Sequence, residues 1–421
     1  MKRFCLLCCI LQGWFWTSCN NQSPDSRENG LPYIIDFEQC ISEARNIKIS
    51  DIADTIELIE LKTPEELPVS AIWQFIPFGD YWFINAREGV FKFTNKGEYI
   101  TTIGKPGQGP GEYPSVFDIS VDKYHKEFIT TIGKHGQGPG EYSTKFDISI
   151  NKHRKEFMIN SYEKLLFYDL DGNYLRTEYK NGEMMNTAFS DSILWATDLG
   201  SHRDKYMFYA LNGQRDTIFS APNPYYGIKP QDEGLGFVGM DLGKEFYYYN
   251  DVLYLNGPLV NDTIYELKGS RCTPHAIFNM GKYKLPLEYM VWYNREAFKK
   301  HGDNYFGIPV MTESERYFFI KAQRQAPSED AKRYIMYDKQ TRQGFLVNEN
   351  KERTITDDIL GGPDIWPIWT TDDSFVSVIG SYSYTKEIKE GNYTLSPDLQ
   401  KVVDSWNHDT NVILMFCRKK K

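Results

Sequence analysis

Histidine and cysteine are both scarce in this 421-residue chain, seven of each. Four of the cysteines, Cys5, Cys8, Cys9 and Cys19, fall within the first nineteen residues, leaving Cys40, Cys272 and Cys417 for the rest. Three thiols make no disulfide framework; at most one pair forms, and Cys40 and Cys417 stand near the two ends. The histidines are scattered, with no HxH, no HExxH and, beyond Cys19, no CxxC. No metal and no cofactor is therefore expected. A GxSxG nucleophile signature is missing, and no spacing of Asp and Glu nominates an acid/base pair. Basic clusters are absent apart from Arg418-Lys-Lys-Lys421, and the net charge is -9. Nucleic acid is excluded as an expected partner. After Trp16 no run approaches 18 uncharged apolar residues, which excludes a spanning helix from the sequence pattern.

What the sequence does have begins at its first residue. Met1-Lys-Arg3 is a short positive region, and Phe4–Trp16 is almost wholly apolar. Thirteen residues are too few to cross a bilayer and fit a secretory signal. Thr17-Ser18 lead into Cys19, the pattern by which a lipoprotein signal ends, with Trp16 where leucine is usual. Residues 1–18 are read as the signal peptide and Cys19 as the lipidated first residue of the mature chain. Residues 19–32 are polar and rich in Asn, Ser and Pro, which suits a flexible tether. Residues 33–421 form the folded domain. These readings place the protein in the cell envelope, held to a membrane, most simply the outer one, through Cys19.

Aromatic residues make up 15% of the chain, with 29 Tyr and 26 Phe. They concentrate in strand-length runs such as Tyr81-Trp-Phe-Ile84 and Arg316-Tyr-Phe-Phe-Ile320, divided by Gly, Asn and Asp. Gly89–Ile103 and Leu165–Tyr179 read as hairpins around Asn95-Lys-Gly97 and Asp171-Gly172, with a third around Asn212-Gly213. Repeated antiparallel hairpins predict an all-β, closed β-propeller, most simply of six blades. Ring closure predicts that 55–61 joins 411–416 in one sheet. Helical spacing is strongest over Pro286–Lys300.

A second repeat is shorter than a blade. Thr101–Ile129 recurs as Thr130–Met158, identical at 20 of 29 positions. Only one copy can fill an ordinary blade position, and the copy at 130–158 is assigned to it. Each copy holds GxGPGEY, at 107–113 and 136–142. Clustered glycine amides can cradle an anion, yet no P-loop ending follows, and a blade connection needing positive φ explains them as well. Glu112, Tyr113, Glu141 and Tyr142 are the candidate ligand contacts. Asp169-Leu-Asp171-Gly-Asn173 lacks the full ligand series of a calcium loop and reads as a turn.

The signal with Cys19, the aromatic hairpins, Ile103-Gly104 with Gly107–Tyr113, and Leu166-Phe-Tyr-Asp-Leu-Asp-Gly172 together resemble the six-bladed β-propeller lipoproteins of gut-type Bacteroidetes. The ending Trp406–Phe416 is similar to that family's last strand. The resemblance implies the propeller and the anchor and brings no catalytic residue set. It leaves two functions open. One is a non-catalytic binding or scaffold module for a glycan, peptide or partner protein, with the loops Ala221–Gly243 and Lys282–Met311 as contact surfaces. The alternative is a propeller enzyme acting on glycans, a hydrolase or lyase with carboxylates in the central pocket.

Overall fold

The computed structural model describes residues 32–103, 105–106, 112–113, 145–161, 164–180, 184–198, 202–231, 246–256, 262–291, 293–325, 331–348, 354–379, 382–406 and 412–420. Short aromatic and β-branched runs pair with their sequence neighbours, because the turns between them are too tight for anything but antiparallel contact. The result is six antiparallel sheets, the blades of a β-propeller. Blade 1 runs from its first strand Ile72–Phe78 through Tyr81–Ala86 and Val90–Thr94 to Tyr99–Thr102. Blades 2 and 3 span Lys145–Tyr179 and Asn186–Pro222 in the same order. The core strands of blades 4 and 5 span Phe246–Asn279 and Phe306–Val347. Blade 6 combines Trp369–Thr370, Ser374–Ile379 and Ile413–Lys419 with Ala53–Glu60.

That last pairing closes the ring as expected: Thr55 lies opposite Arg418 and Glu60 opposite Ile413. Closure removes two sheet edges that would otherwise stand open. It is sealed by packing as well. Trp82 of blade 1 stacks on Phe416 of blade 6, with centroids 5.1 Å apart and planes at 17°. Comparable aromatic contacts cross other seams, Phe83 to Phe157 at 5.1 Å and Phe319 to Phe375 at 5.0 Å. The core is thus a set of slabs between blades, and each buried aromatic contributes area and ring geometry together.

Before reaching blade 6 the N-terminal segment skirts two other blades. Tyr33–Asp36 adds a fifth, parallel strand to blade 4, and Ala44–Arg45 does the same for blade 5. Between them a short helix, Phe37–Ser42, is started by Asp36, whose carboxylate accepts from Gln39 N at 3.0 Å. Gly344 allows the helix to lie close: a Cβ there would run into Cys40 Sγ. Cys40, Cys272 and Cys417 are all free, and Cys40 and Cys417 are buried in different clusters.

Three sequence expectations need correction or completion. The Asn-Gly and Asp-Gly turns do not carry two residues at positive φ. Gly97, Gly172 and Arg215 each supply one, beside a register shift in the adjoining strands, the form of a type I turn closed by a bulge. Pro286–Lys300 is not one helix. Leu287–Tyr289 is a 3-10 turn, and the helix proper is Arg295–His301, begun by Asn294, which accepts from Ala297 N. Asn is a better cap than helix interior, so it restarts the chain where periodicity alone runs through. Finally, the second copy of the duplication does supply the first strand of blade 2, Lys145–Asn151. Its counterpart Phe117–Ser120 lies outside the described residues.

Candidate functional site

First strands of adjacent blades touch along the ring axis and are tied by side chains that reach across to backbone. Gln74 brackets Ile148, donating to its carbonyl at 2.8 Å and accepting from its amide at 2.9 Å. Ser149 Oγ accepts from Phe189 N at 3.1 Å, and Tyr248 OH donates to Phe189 O at 2.6 Å. On the other side Thr370 Oγ1 donates to Glu313 O at 2.7 Å. These bonds satisfy polar groups that the narrow centre would otherwise strand.

An axial cavity of about 740 Å3 lies between these strands and reaches the turns that join first to second strands. Its walls are strongly aromatic: Phe75, Trp82, Tyr247, Tyr248, Tyr249 and Trp369. The three consecutive tyrosines are half-buried and all border the cavity. Burial pushes the Tyr248 hydroxyl up to about 12, so it stays a neutral donor. The rim is charged, and several of its charges are paired. Lys152 of blade 2 meets Asp251 of blade 4, and Arg418 meets Asp373 as well as Glu57 at 2.5 Å. Burial opposes the charge on Asp373, but hydrogen bonds from Ser374 and Thr371 and the Arg418 guanidinium outweigh it and hold the carboxyl below its usual range.

Behind Tyr247 lies a buried charge cluster at the seam of blades 4 and 5. Glu313 Oε2 accepts from Tyr247 OH at 2.9 Å, and its other oxygen lies 2.9 Å from His275 Nε2 and 2.5 Å from Lys339 Nζ. Lys339 also donates to Ser314 O at 2.6 Å. Burial alone would raise Glu313, yet the ammonium and imidazole beside it bring it down to about 2. The cluster fixes Tyr247 in the cavity wall. At the seam of blades 2 and 3, Asp147 is half-buried beside Thr187, whose amide donates at 2.6 Å and whose hydroxyl donates at 3.1 Å. Here desolvation wins over those bonds, and the carboxyl rises to about 7.

The residues nominated from sequence are described only in part. Glu112–Tyr113 form a two-residue strand parallel to Lys105–Pro106, and Glu141 and Tyr142 lie outside the described residues, as does Cys19. The two long loops meet: Gln231 N donates to Tyr293 O at 2.8 Å, and Asn294 Nδ2 to Gln231 Oε1 at 2.8 Å. The described parts of both loops sit on the face away from the cavity turns. The cavity residues come from five separate blades, and no linear spacing joins them; the run Phe246-Tyr-Tyr-Tyr249 was the one local signal that could have marked the wall. Among the described residues no group of His, Cys, Asp and Glu could hold a metal, and no helix is long and apolar enough to cross a membrane.

Fold and cavity together define a six-bladed β-propeller closed by its own N-terminal strand. The chain belongs to the family described as "Domain of unknown function (DUF4934)", which matches residues 32–127 and 127–418. It is similar to the crystal structure of a candidate exported protein from Bacteroides fragilis, with 17% identity, 93% of this chain and 100% of that one covered, and a TM-score of 0.67. A member of the DUF4221 family from Bacteroides vulgatus aligns over 87% of this chain and 97% of its own, at 11% identity and a TM-score of 0.46. No curated protein matches the chain.

Proposed function

We propose that this chain is an exported, lipid-anchored binding protein whose axial cavity takes a glycan or peptide of the cell envelope without transforming it. The observation that supports this most is the composition of the cavity. Flat aromatic side chains line its walls, which suits the apolar faces of sugar rings or peptide side chains, and the polar groups stand at the rim. Catalysis on a glycan would call for a carboxyl that holds a proton near neutral pH beside one that does not. Of the rim carboxyls, Asp373 is held ionised by Arg418 and Asp251 is engaged by Lys152. Asp147, which does hold a proton to about pH 7, is spent inside a blade seam.

Trp82 and Trp369 report on occupancy. Screening envelope glycans and peptides by intrinsic fluorescence should find a ligand that shifts their emission, and Lys152→Ala or Asp372→Ala at the exposed rim should weaken it without altering the melt. Binding indifferent to both variants, or turnover of the bound glycan, would overturn the reading. Lipidation at Cys19 is the other half. A palmitate analogue should label the wild-type chain in cells and leave Cys19→Ala unlabelled.

A further inference from the structure

The axial cavity meets three blades edge-on. Residues 74–79 of blade 1, 246–251 of blade 4 and 369–373 of blade 6 line it consecutively. Side chains alternate across a strand, so a blade that turned its flat side to the cavity would contribute every second residue. Blade 2 does so, with Ile148, Ile150 and Lys152. Where consecutive residues line a cavity, the main chain of the strand borders it too. The first strand of each blade is also the end strand of its sheet, so alternate amide and carbonyl groups along it have no ladder partner.

These inner edges are not alike. In blades 2 and 3 side chains close them: Gln74 brackets Ile148, and Ser149 with Tyr248 brackets Phe189. Blade 1 carries Pro77, which has no N–H to give. In blade 6 the strand is two residues long, Trp369–Thr370. Blade 4 offers Phe246–Tyr249 without proline. Beyond its hairpin partner Val252–Asn256, that strand's main chain bonds to no other described residue.

The side chains of the wall are largely spent. The hydroxyls of Tyr247, Tyr248 and Tyr249 go to Glu313, to Phe189 O and to the Asn250 side chain. The Gln74 amide is held by Ile148, and the Thr370 hydroxyl donates to Glu313 O. Apart from the indole N–H groups of Trp82 and Trp369, the wall turns side-chain carbon and a main-chain edge to a guest. A sugar carries hydroxyls around its ring, and each one taken from water without a partner costs free energy. An acyl chain would cover the carbon and leave the edge unpaired. An extended peptide satisfies both, because its main chain pairs with the edge while alternate side chains enter the aromatic wall.

We propose that the cavity takes a peptide segment in extended conformation, added as a strand to the inner edge Phe246–Tyr249 of blade 4 with its apolar side chains against the aromatic wall. This rests on the binding reading above and narrows its ligand to peptide. A cavity of about 740 Å3 is the size of a small-ligand site. It encloses a short segment, and the rest of the peptide passes the rim, where Lys152 with Asp251 and Arg418 with Asp373 supply donors and acceptors.

The test screens the Cys19→Ala chain by tryptophan emission against a library of acetylated hexapeptide amides, with maltohexaose and chitohexaose as the glycan arm. The tightest peptides should carry bulky apolar residues at alternate positions. N-methylation of one alternate set of backbone amides in such a peptide should weaken binding about tenfold or more, and methylation of the other set should leave it within about twofold. A benzophenone in place of one apolar side chain should cross-link within residues 246–251, or within 74–79 or 369–373 on the facing walls. Equal effects of the two methylated sets overturn the strand pairing, and cross-links confined to other stretches overturn the site. A hexasaccharide bound as tightly as the best peptide overturns this inference and leaves the binding reading standing. Failure of every peptide and both glycans overturns the two together.

Discussion

Two seams of the ring bury a carboxyl each and treat it in opposite ways. At blades 4 and 5, Glu313 meets Lys339 and His275 and is held near 2; at blades 2 and 3, Asp147 meets neutral donors, the amide and hydroxyl of Thr187 and the Asn160 side chain, with Lys180 acting from further off, and rises to about 7. Burial is the first cause in both. The difference is a full cation in contact, which neutral donors do not replace. The same division runs through the architecture. Blades 4 and 5 gain a fifth strand from the N-terminal segment, and blades 1 to 3 hold four apiece. The half of the ring that carries the added segment also carries the buried ion cluster.

The largest effect should come from breaking the ion cluster. Glu313→Ala leaves the Lys339 ammonium buried without its carboxylate and should cost about 3–5 kcal/mol by denaturant unfolding. The double variant Glu313→Ala with Lys339→Met should recover much of that, and failure to recover would show that the geometry matters more than the charge. Because Glu313 lies below its ordinary range, its contribution is complete above about pH 4.5 and disappears as pH falls toward 2. Asp147 has the reverse sign. Its carboxyl is raised, so the seam is strongest in acid and weakens as pH climbs from about 4 through 7. Asp147→Asn keeps an acceptor for the Thr187 amide and should be near neutral at pH 4. Above pH 7 it should gain up to about 4 kcal/mol, the value of the full shift. An unchanged pH profile would mean that water reaches the wild-type carboxyl.

Gly344→Ala sharpens the architectural half of the comparison. A Cβ there meets Cys40 Sγ and the Tyr337 ring, both in the packed core under the Phe37–Ser42 helix. It should cost about 1–3 kcal/mol through overpacking. A fragment of this size that simply shifts outward would show instead as faster proteolysis near residue 40 with little change in the melt.

The propeller was legible because each blade is local. Strand, turn and strand are adjacent in sequence, so Val90–Thr94 with Tyr99–Thr102 announces itself through apolar runs and a turn glycine. Ring closure was legible for a different reason: the alternating run Thr55–Leu61 had no neighbour of its own to pair with. The parallel strands Tyr33–Asp36 and Ala44–Arg45 were not legible, since four and two residues carry no period. Nor were the helices Tyr382–Glu390 and Pro397–Ser405 anticipated, although Ser396 and Pro397 form a helix start, with Ser396 accepting from Leu399 N at 3.3 Å. The cavity was least legible of all. Tyr247, Trp369 and Lys152 meet only because the ring closes, and their separations in sequence say nothing of it.

The smallest expected effect concerns the duplication, and the structure shows why it should be small. Removing Thr101–Ile129 joins Ile100 to Thr130-Thr-Ile-Gly133, which repeats Thr101-Thr-Ile-Gly104 residue for residue. Ile103 is fully buried in the cluster beneath blades 1 and 2, and Ile132 would take its place. The first strand of blade 2 is untouched. Melting should change by no more than the equivalent of about 1 kcal/mol, the range of well-tolerated changes. Removing Thr130–Met158 instead forces Val116–Asp122 into the slot of Lys145–Asn151. That substitute keeps Asp118 for Asp147 and Ser120 for Ser149, the two side chains that stitch blade 2 to Thr187 and Phe189. It replaces Ile150 with Val121 and, in the second strand, Met158 with Ile129, both at buried positions. Loss of one methylene and a change of side-chain shape should make this deletion less stable than the first by about 1–2 kcal/mol. Both deletions should unfold cooperatively. If the first is the less stable of the two, then 101–129 contributes contacts of its own, and the assignment of 130–158 as the copy that belongs to the blade fails.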